Sequence, residues 1–356
     1  MAKILFVLPA GGYSGGANSV VQETKGLLRI GEQASIAVDS KNINSFRRCY
    51  STQFDVLDRL VAFDNYSVLE KHLDKFDIVI ATISTQASNL FKCVNDFNLK
   101  RKKNIRLAYY IQDYEPLFFA KDTPIWQQAC KSYDHAVGVT CFAKTDWICR
   151  AVEKNHGVQV KRVLPSIDHD CYLPAAKSPD KIMISAMIRP GTPRRAPRRT
   201  ARILALLAEK YKGQIKINVF GCDKEELLDY GIVFHSAITN HGRLTREQVA
   251  QILRESSLFL DLSDYQAFGR TGMEAMACGV VPVMPIFGGA PEFVTHGQNG
   301  YLVDTRYDSI ILDTVGQYIE LPEKRREMMR SSVLETAAEY SVHRAAVSMR
   351  NVLLSD

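Results

Sequence analysis

The sequence predicts an α/β protein built from two Rossmann-like, doubly wound parallel sheets. At 356 residues the chain is longer than one typical hydrophobic core, so two domains are expected. In both halves, short apolar runs alternate with segments of helical periodicity, as in parallel strands joined by helices. A small, polar segment over 175–181 has the composition of a linker. We therefore expect an N-terminal domain over 1–173, a C-terminal domain over 174–335 and a last helix over 336–356.

The composition, with 46% hydrophobic and 24% charged residues, is typical of a soluble enzyme. No run approaches the ~20 apolar residues of a membrane-spanning helix, and the N-terminus reads as a strand and not as a signal peptide. The eight cysteines are scattered singly, which favours reduced thiols in a cytoplasmic protein without a bound metal. Two basic segments, 101–106 and 194–202, are solvated surface, anion sites or contacts with an acidic membrane face. No nucleic-acid-binding module is recognisable, so no nucleic-acid partner is expected.

The first half opens as strand, glycine loop, helix and strand, and the second strand ends near Asp39. Such an opening is typical of a dinucleotide-binding site, in which Asp39 would hydrogen-bond a ribose. However, the glycines at 11, 12, 15 and 16 do not match G-x-G-x-x-G. Gly15 and Gly16 either form a plain tight turn or let the backbone approach a ligand, because a side chain would intrude there.

Further along the first half we expect a helix over 66–76 and strands over 77–83, 106–111 and 135–140. A polar cluster, 112–115, follows the strand that ends at 111. Ligands of open α/β sheets bind at the carboxyl ends of strands. Asp113 is therefore either a cleft-lining carboxylate or an ordinary loop carboxylate.

The second half repeats the alternation. A strand ends at Arg189, an amphipathic helix covers 198–211, and a strand ends at Gly221. A loop over 238–245 and a helix over 246–257 then lead to the apolar strand LFLDLS, 258–263.

The stretch from Asp264 to Gly289 carries most of the functional information. We expect Thr271 or Gly272 to cap a helix whose interior is 273–278, with Gly279 after its last turn. A buried strand, VVPVMP, then leads to a Gly-Gly turn and to a second helix start at 291–292. Helix N-termini present unpaired N–H groups and a partial positive charge, so an anion site is predicted here.

The order Phe-Gly, Glu274, AMACG and apolar strand resembles the donor-binding segment of GT-B nucleotide-sugar glycosyltransferases, especially retaining family 4. That family usually has two glutamates eight positions apart. Here the second is Glu274, but the first position holds Gln266. A glutamine keeps the hydrogen bonds to sugar hydroxyls and loses the charge. It indicates either an adapted donor pocket, for instance for a 6-deoxy sugar, or a catalytically weak protein.

The resemblance implies two domains facing across a cleft, with the last helix crossing back to the first domain. It implies that Arg189 and Arg194 hold the donor diphosphate without a metal, with Arg195 as an alternative to Arg194. Glu274 would bind ribose hydroxyls, and Asp113 would stand where the family has a His–Asp or His-x-His element. The residues implied in donor binding are Gly15, Gly16, Arg189, Arg194, Arg195, Phe268, Gly269, Arg270, Thr271, Gly272 and Glu274.

The implied reaction is transfer of a hexose, with retention, from a UDP- or dTDP-linked donor to a growing surface glycan, free or lipid-linked. The phrase YIQDYEPLFF resembles bacterial rhamnosyltransferases, so rhamnose is one candidate sugar. The triplet 168–170 is a D-x-D pattern, which binds metal in GT-A transferases, but its place in the chain favours a linker. Two alternatives remain: another nucleotide-binding enzyme such as an NAD-dependent dehydrogenase, and a catalytically weak sugar-nucleotide-binding partner.

Overall fold

A computed structural model describes residues 1–9, 14–136, 138–176 and 181–355. The expected linker falls largely outside these ranges, as do Gly11 and Gly12 of the glycine loop. The chain divides into two compact units, Met1–Ser166 with Ser341–Asp356, and Ile167–Tyr340. The second unit begins before the expected boundary at 174, because Ile167 and Tyr172 are buried in its hydrophobic core.

The first unit contains a seven-stranded sheet in the order β3-β2-β1-β4-β5-β6-β7, with every pair of neighbours parallel. Its central strands are buried on both faces, which explains their continuous apolar runs. The strands are β1 (Lys3–Leu8), β2 (Gln33–Asp39), β3 (Leu60–Phe63), β4 (Ile78–Ala81), β5 (Arg106–Ile111), β6 (Thr140–Ala143) and β7 (Lys161–Arg162). The helices before residue 166 are α1 (Gly15–Arg29), α2 (Ile43–Cys49), α3 (Phe54–Leu57), α4 (Tyr66–Glu70), α5 (Ser84–Arg101), α6 (Pro124–Asp134) and α7 (Asp146–His156).

The second unit contains a six-stranded parallel sheet in the order β10-β9-β8-β11-β12-β13. Its strands are β8 (Ile182–Met187), β9 (Ile215–Phe220), β10 (Ile238–Asn240), β11 (Leu258–Leu260), β12 (Val281–Pro285) and β13 (Tyr301–Val303). Its helices are α8 (Pro197–Lys210), α9 (Lys224–Asp229), α10 (Arg246–Glu255), α11 (Arg270–Ala277), α12 (Asp308–Glu320) and α13 (Glu323–Ala338).

The last helix, α14 (Val342–Leu354), packs on α1 of the first unit. Its residues Met349 and Leu353 are buried in the core of that unit. Gly26 of α1 makes the close approach possible, because a Cβ there would lie 3.1 Å from the side chains of Val342 and Ala346. In the described ranges, the structure has no helix with the length and apolarity that crossing a membrane requires.

Three element predictions outside the stretch 264–292 are wrong. The expected helix over 66–76 is two short pieces, α4 and a 3-10 turn at Leu73–Lys75. The strand expected over 135–140 is instead β6, which begins at Thr140 where pairing with β5 begins. The expected loop over 238–245 contains β10, which pairs with β9. In each case sheet pairing or packing, and not local periodicity, decides the element.

Candidate functional site

The helix α11 begins at the carboxyl end of the second sheet, and its start depends on a glycine. Gly269 is the N-cap with φ 89°, so the expected cap at Thr271 or Gly272 is wrong. An added Cβ at Gly269 would lie 2.6 Å from the Met284 methyl group, and one at Gly272 would lie 2.5 Å from the Met284 sulfur. The helix therefore approaches β12 as closely as its glycines allow. At the other end, Gly279 has φ 72° just after the C-cap, as the sequence predicts.

The Gly-Gly turn after β12 is joined to the backbone of Gln266. The Gly289 N–H donates to the Gln266 carbonyl at 2.7 Å. Gly288 has φ 106°, and a Cβ there would lie 2.0 Å from the same carbonyl oxygen. The second helix expected after this turn is only a three-residue 3-10 turn, Ala290–Glu292. Only one of the two helix N-termini expected at the predicted anion site is therefore present, the start of α11.

The Gln266 side chain is buried in a polar cluster with two residues that the sequence analysis did not select. Its Nε2 donates to Asp261 Oδ2 at 2.5 Å and to Ser263 Oγ at 3.1 Å. The other carboxylate oxygen of Asp261 accepts hydrogen bonds from the backbone N–H of Ser263 at 3.1 Å and from its hydroxyl at 2.5 Å. A signal was present, because Asp261 is the one charged residue in LFLDLS, and buried charges need partners.

Arg189 and Arg195 line one small pocket together with Asp261 and Ser263. Arg189 follows β8, and Arg195 ends a 3-10 turn just before α8. The Nη1 of Arg195 lies 4.0 Å from Asp261 Oδ2. Burial lowers the pKa of Arg189, and the neighbouring positive charge of Arg195 lowers it further. Such a cluster of like charges favours binding of an anion.

Arg194 is also held beside this cluster, through its backbone carbonyl, which accepts the Asp264 N–H at 2.8 Å. Arg199, in the basic segment 194–202, donates to the Leu262 carbonyl and to the Asp264 carboxylate, each at 2.9 Å. Its neighbours Arg198 and Arg202 bond Tyr230 and Asp308. These three arginines of the basic segment 194–202 therefore bond groups of their own unit, although Arg198 and Arg202 are also exposed to solvent.

Glu274, in α11, is 8% exposed and is surrounded by positive groups. Burial raises its pKa to about 7, and the charges of Arg270, Arg246 and Arg189 only partly offset that rise. The Tyr172 hydroxyl also hydrogen-bonds to the carboxylate. A carboxylate in this setting is an acceptor for hydroxyl groups that can gain or lose its charge near neutral pH.

Arg246 connects Glu274 to the segment that enters the second unit. Its guanidinium donates to Asp168 Oδ2 at 2.9 Å and lies over the Tyr172 ring, 5.8 Å from the centroid. Asp168, the first residue of the D-x-D triplet, thus has an arginine partner. Sequence reasoning missed Arg246 and Tyr172, because each lies far along the chain from Glu274.

The remaining predicted donor residues of the second unit lie around the start of α11. The Phe268 ring packs on Phe293 and Tyr340, with centroid distances of 5.4 and 6.1 Å. Arg270 and Thr271 form the first turn of the helix and are partly exposed. The structure therefore brings the predicted residues of the second unit to one edge of its sheet.

In the first unit, Gly15, Gly16 and Asp113 lie at the start of α1 and after β5. Ser14 caps α1 by accepting the Ala17 N–H at 3.0 Å. A Cβ at Gly15 would meet nothing within 4 Å, whereas one at Gly16 would lie 3.4 Å from the Gln112 amide. Asp113 is half-buried, and its Oδ1 accepts the Tyr114 N–H at 2.9 Å. A Cβ at position 15 would therefore clash with no other described residue of the protein.

Comparison with known proteins identifies the second half. Residues 192–332 match the family described as glycosyl transferases group 1. N-acetyl-alpha-D-glucosaminyl L-malate synthase of Bacillus anthracis is 38% identical over 93 residues, 25% of this chain and 24% of that protein. O-antigen biosynthesis protein RfbC of Myxococcus xanthus is 26% identical over 200 residues, 55% of this chain and 15% of that protein. The matches thus span a quarter or less of these relatives.

The similarity of fold extends over the whole chain. The Anabaena protein HepE, solved in complex with UDP and glucose, superposes with a TM-score of 0.81 at 17% identity, covering 100% of both chains. This structure and the two parallel sheets establish the GT-B fold, as the sequence predicts. The chain thus has the GT-B fold and carries a domain of the glycosyl transferases group 1 family over residues 192–332.

Proposed function

We propose that this protein transfers a hexose from a nucleotide-diphosphate sugar to a hydroxyl of a growing surface glycan, with retention and without a metal. Rhamnose is the first sugar to try beside glucose, and UDP and dTDP are the candidate carriers. Arg189, Arg194 and Arg195 hold the diphosphate, Glu274 binds the ribose, and Gln266 binds hydroxyls of the sugar. In the first unit, Asp113, Gly15 and Gly16 are the candidate ligand-binding residues.

The pocket shared by Arg189 and Arg195 carries the proposal. Cleavage of the bond between sugar and diphosphate gathers negative charge on the leaving group, and fixed positive groups stabilise that charge. Both arginines line one pocket at the carboxyl end of a parallel sheet. Arg195 lies inside the segment 192–332 that matches the group 1 family, and Arg189 lies just before it. Planar guanidinium groups can also hold phosphate oxygens with two hydrogen bonds each.

The compared proteins support the same donor class. HepE was solved with UDP and glucose, and RfbC is named for O-antigen biosynthesis. The HepE complex makes UDP the first nucleotide to test, and the name of RfbC favours a surface glycan as the acceptor.

Thermal unfolding with UDP, dTDP, GDP, ADP and NAD, each with magnesium or with EDTA, tests the proposal. A nucleotide at about 1,000 times its dissociation constant should stabilise the protein by about 4 kcal/mol. We expect one nucleoside diphosphate to stand out and EDTA to change nothing. A response to NAD alone would favour a dehydrogenase, and dependence on magnesium would contradict a metal-free site. Donor bound but never transferred or hydrolysed would indicate a non-catalytic binding partner.

We also propose that the acceptor is lipid-linked and that the protein meets it at an acidic membrane face inside the cell. The supporting observation is the basic segment at the end of α5, where Arg101, Lys102 and Lys103 are exposed. Electrostatic attraction of this kind is screened by salt. Binding to vesicles with anionic lipid should therefore fall steeply between low and physiological ionic strength. Equal binding to neutral vesicles would contradict it.

A further inference from the structure

We infer that Asp261 supplies the negative charge that Gln266 lacks, and that the two side chains act as one unit in the donor site. This inference rests on the proposed function. Asp261 is a positioning residue: it orients the Gln266 amide and faces Arg195, 4.0 Å away. Neither the resemblance nor the sequence pattern selected it.

The hydrogen bonds around Asp261 are specific to a charged carboxylate. Its side chain is buried, and it accepts bonds from Ser263 on one oxygen and from Gln266 on the other. It accepts on both oxygens and donates none of these bonds, as a charged carboxylate does. The site therefore contains the charge at position 261 while position 266 is neutral.

The carboxylate also determines which way the Gln266 amide faces. An amide placed with its oxygen towards Asp261 would set two acceptors against each other, so the nitrogen takes that position, 2.5 Å from Oδ2. Both donor hydrogens of the amide are then directed to Asp261 and Ser263. The acceptor Oε1 is left for a sugar hydroxyl, the same chemistry that a glutamate oxygen would offer.

A glutamate at 266 would be incompatible with Asp261. Its carboxylate would replace a nitrogen 2.5 Å from Oδ2. Two ionised carboxylates at hydrogen-bond distance repel, and one takes up a proton. The sequence therefore needs either Asp261 with Gln266 or the reverse pair, asparagine at 261 with glutamate at 266. In the reverse pair the Asn amide would donate to the glutamate, and its oxygen would still accept from Ser263.

The test is a charge-exchange cycle with Asp261→Asn, Gln266→Glu and the double variant, beside Asp308→Asn as control. Asp308 also loses one charge, but it pairs with Arg202 outside the site. UDP and dTDP serve as binding probes, and hydrolysis of UDP-glucose and dTDP-rhamnose gives kcat and KM. Each single variant should lose about 10- to 100-fold in kcat because the acceptor group is misplaced. The double variant should regain most of that loss, and the control should match wild type.

The pH dependence of Gln266→Glu distinguishes repulsion between the carboxylates at 261 and 266 from a simple loss of packing. In Gln266→Glu, a carboxyl with a raised pKa is destabilising when ionised, so its kcat and melting temperature should recover as the pH falls. Because Glu274 also titrates in all three proteins, the comparison is the pH dependence of Gln266→Glu relative to wild type and the double variant, which should share one profile. If Gln266→Glu does not fold at neutral pH, Asp261→Asn and the double variant still complete the comparison.

Two kinds of failure are distinguishable. If wild type responds to no nucleoside diphosphate and hydrolyses neither donor, the proposed function is wrong and the inference falls with it. If wild type binds and hydrolyses, but the double variant is no better than Asp261→Asn, only the assignment of the charge to Asp261 is overturned. Full activity of Gln266→Glu alone would overturn it as well.

Discussion

Glycines at the carboxyl-end edges of the two sheets meet different structural requirements. In the second unit, Gly269, Gly272 and Gly288 are required by the protein itself, because a Cβ would lie within 2.7 Å of Met284 or Gln266. In the first unit, Gly15 lies in open space, and neither it nor Gly16 has a positive φ. The first set is explained by packing and backbone conformation. The second set is not, and the Gly15→Ala variant described below tests whether a ligand approaches the backbone there.

The polar side chains of the two units also differ, in burial and in the partners of their hydrogen bonds. The second unit holds Asp261, Gln266 and Glu274 buried and hydrogen-bonded before any ligand arrives. In the first unit, Asp113 is half-buried and bonds its neighbour's backbone. A preorganised site stabilises developing charge without rearrangement. The predictions below test this comparison, beginning with the largest expected effect.

Replacing Arg189 by methionine should abolish most of the activity. Donor turnover should fall about 10²- to 10³-fold, because one fixed positive group at the leaving diphosphate is lost. The free protein should be no less stable, since burial and Arg195 already lower the pKa of Arg189. Steady-state kinetics and thermal unfolding measure both effects. The control is Arg198→Met, which removes an exposed arginine bonded to Tyr230. Equal turnover of the two variants would remove Arg189 from the site.

Gly288→Ala should destabilise the second unit by about 3 kcal/mol, because strain at positive φ adds to a clash with a backbone carbonyl. The Cβ would lie 2.0 Å from the Gln266 oxygen. Chemical denaturation gives the free energy of unfolding. Gly297→Ala is the matched control, since Gly297 has φ 77° but no atom within 4 Å of its Cβ position. It should lose only ~1 kcal/mol, and a similar loss at both positions would show that the clash is relieved.

Glu274→Gln should flatten the pH dependence of stability between pH 4.5 and 7. Burial raises the folded pKa of Glu274 from 4.5 to about 7, so the protonated acid favours the folded state. Its stabilising contribution, on the order of 3 kcal/mol, is complete below pH 4.5 and is lost as the pH rises through the folded pKa. The free energy of unfolding, measured at several pH values, should decline over this window in wild type but not in the variant.

The same variant should bind UDP about tenfold more weakly at pH 8, where wild-type Glu274 is ionised and accepts ribose hydroxyls more strongly. Titration calorimetry measures this. Glu335→Gln, an exposed position in α13, is the control for loss of one charge. An unchanged pH profile in Glu274→Gln would assign the titration to another group.

Gly15→Ala should change the stability of the fold least, and it should raise that stability where Gly288→Ala lowers it. Alanine is favoured over glycine in a helix by up to ~1 kcal/mol, and the position is open, so the melting temperature should rise. Donor turnover should nevertheless fall if the backbone approaches the ligand. Gly16→Ala should stabilise less, because its Cβ would press on Gln112 at 3.4 Å. A Gly15→Ala protein that is both more stable and fully active would show that this glycine has no function.

Much of the fold could be read from local patterns, and the exceptions have physical causes. The apolar runs at 3–8 and 281–285 are strands because parallel strands are buried on both faces. β10 lacks such a run, since it lies at the edge of its sheet and only Ile238 is buried. The start of α11 was misplaced because a serine, threonine or asparagine cap is the usual signal, whereas here the sharp entry at Gly269 decides.

The residues of the candidate site also fall into two groups, those that local sequence patterns predict and those that only the fold reveals. The family motif selected Arg189, Gln266 and Glu274, because their spacing is local and specific. It could not select Asp261, whose importance depends on a hydrogen bond across a turn. Nor could it select Arg246 and Tyr172, which reach Glu274 from a different helix and from the segment that enters the unit.

The sequence by itself determined two doubly wound parallel sheets and the segment that carries the donor motif, because periodicity and glycine placement are local properties. Only the tertiary structure decided where the charges lie. Parallel strands bring the ends of β8, β11 and β12 to one edge. Burial there makes Glu274 depend on partners that are distant in the chain, and Asp261 on partners across a turn. A glutamine at 266 therefore looks like a missing charge in the sequence, and in the fold it is the partner of Asp261.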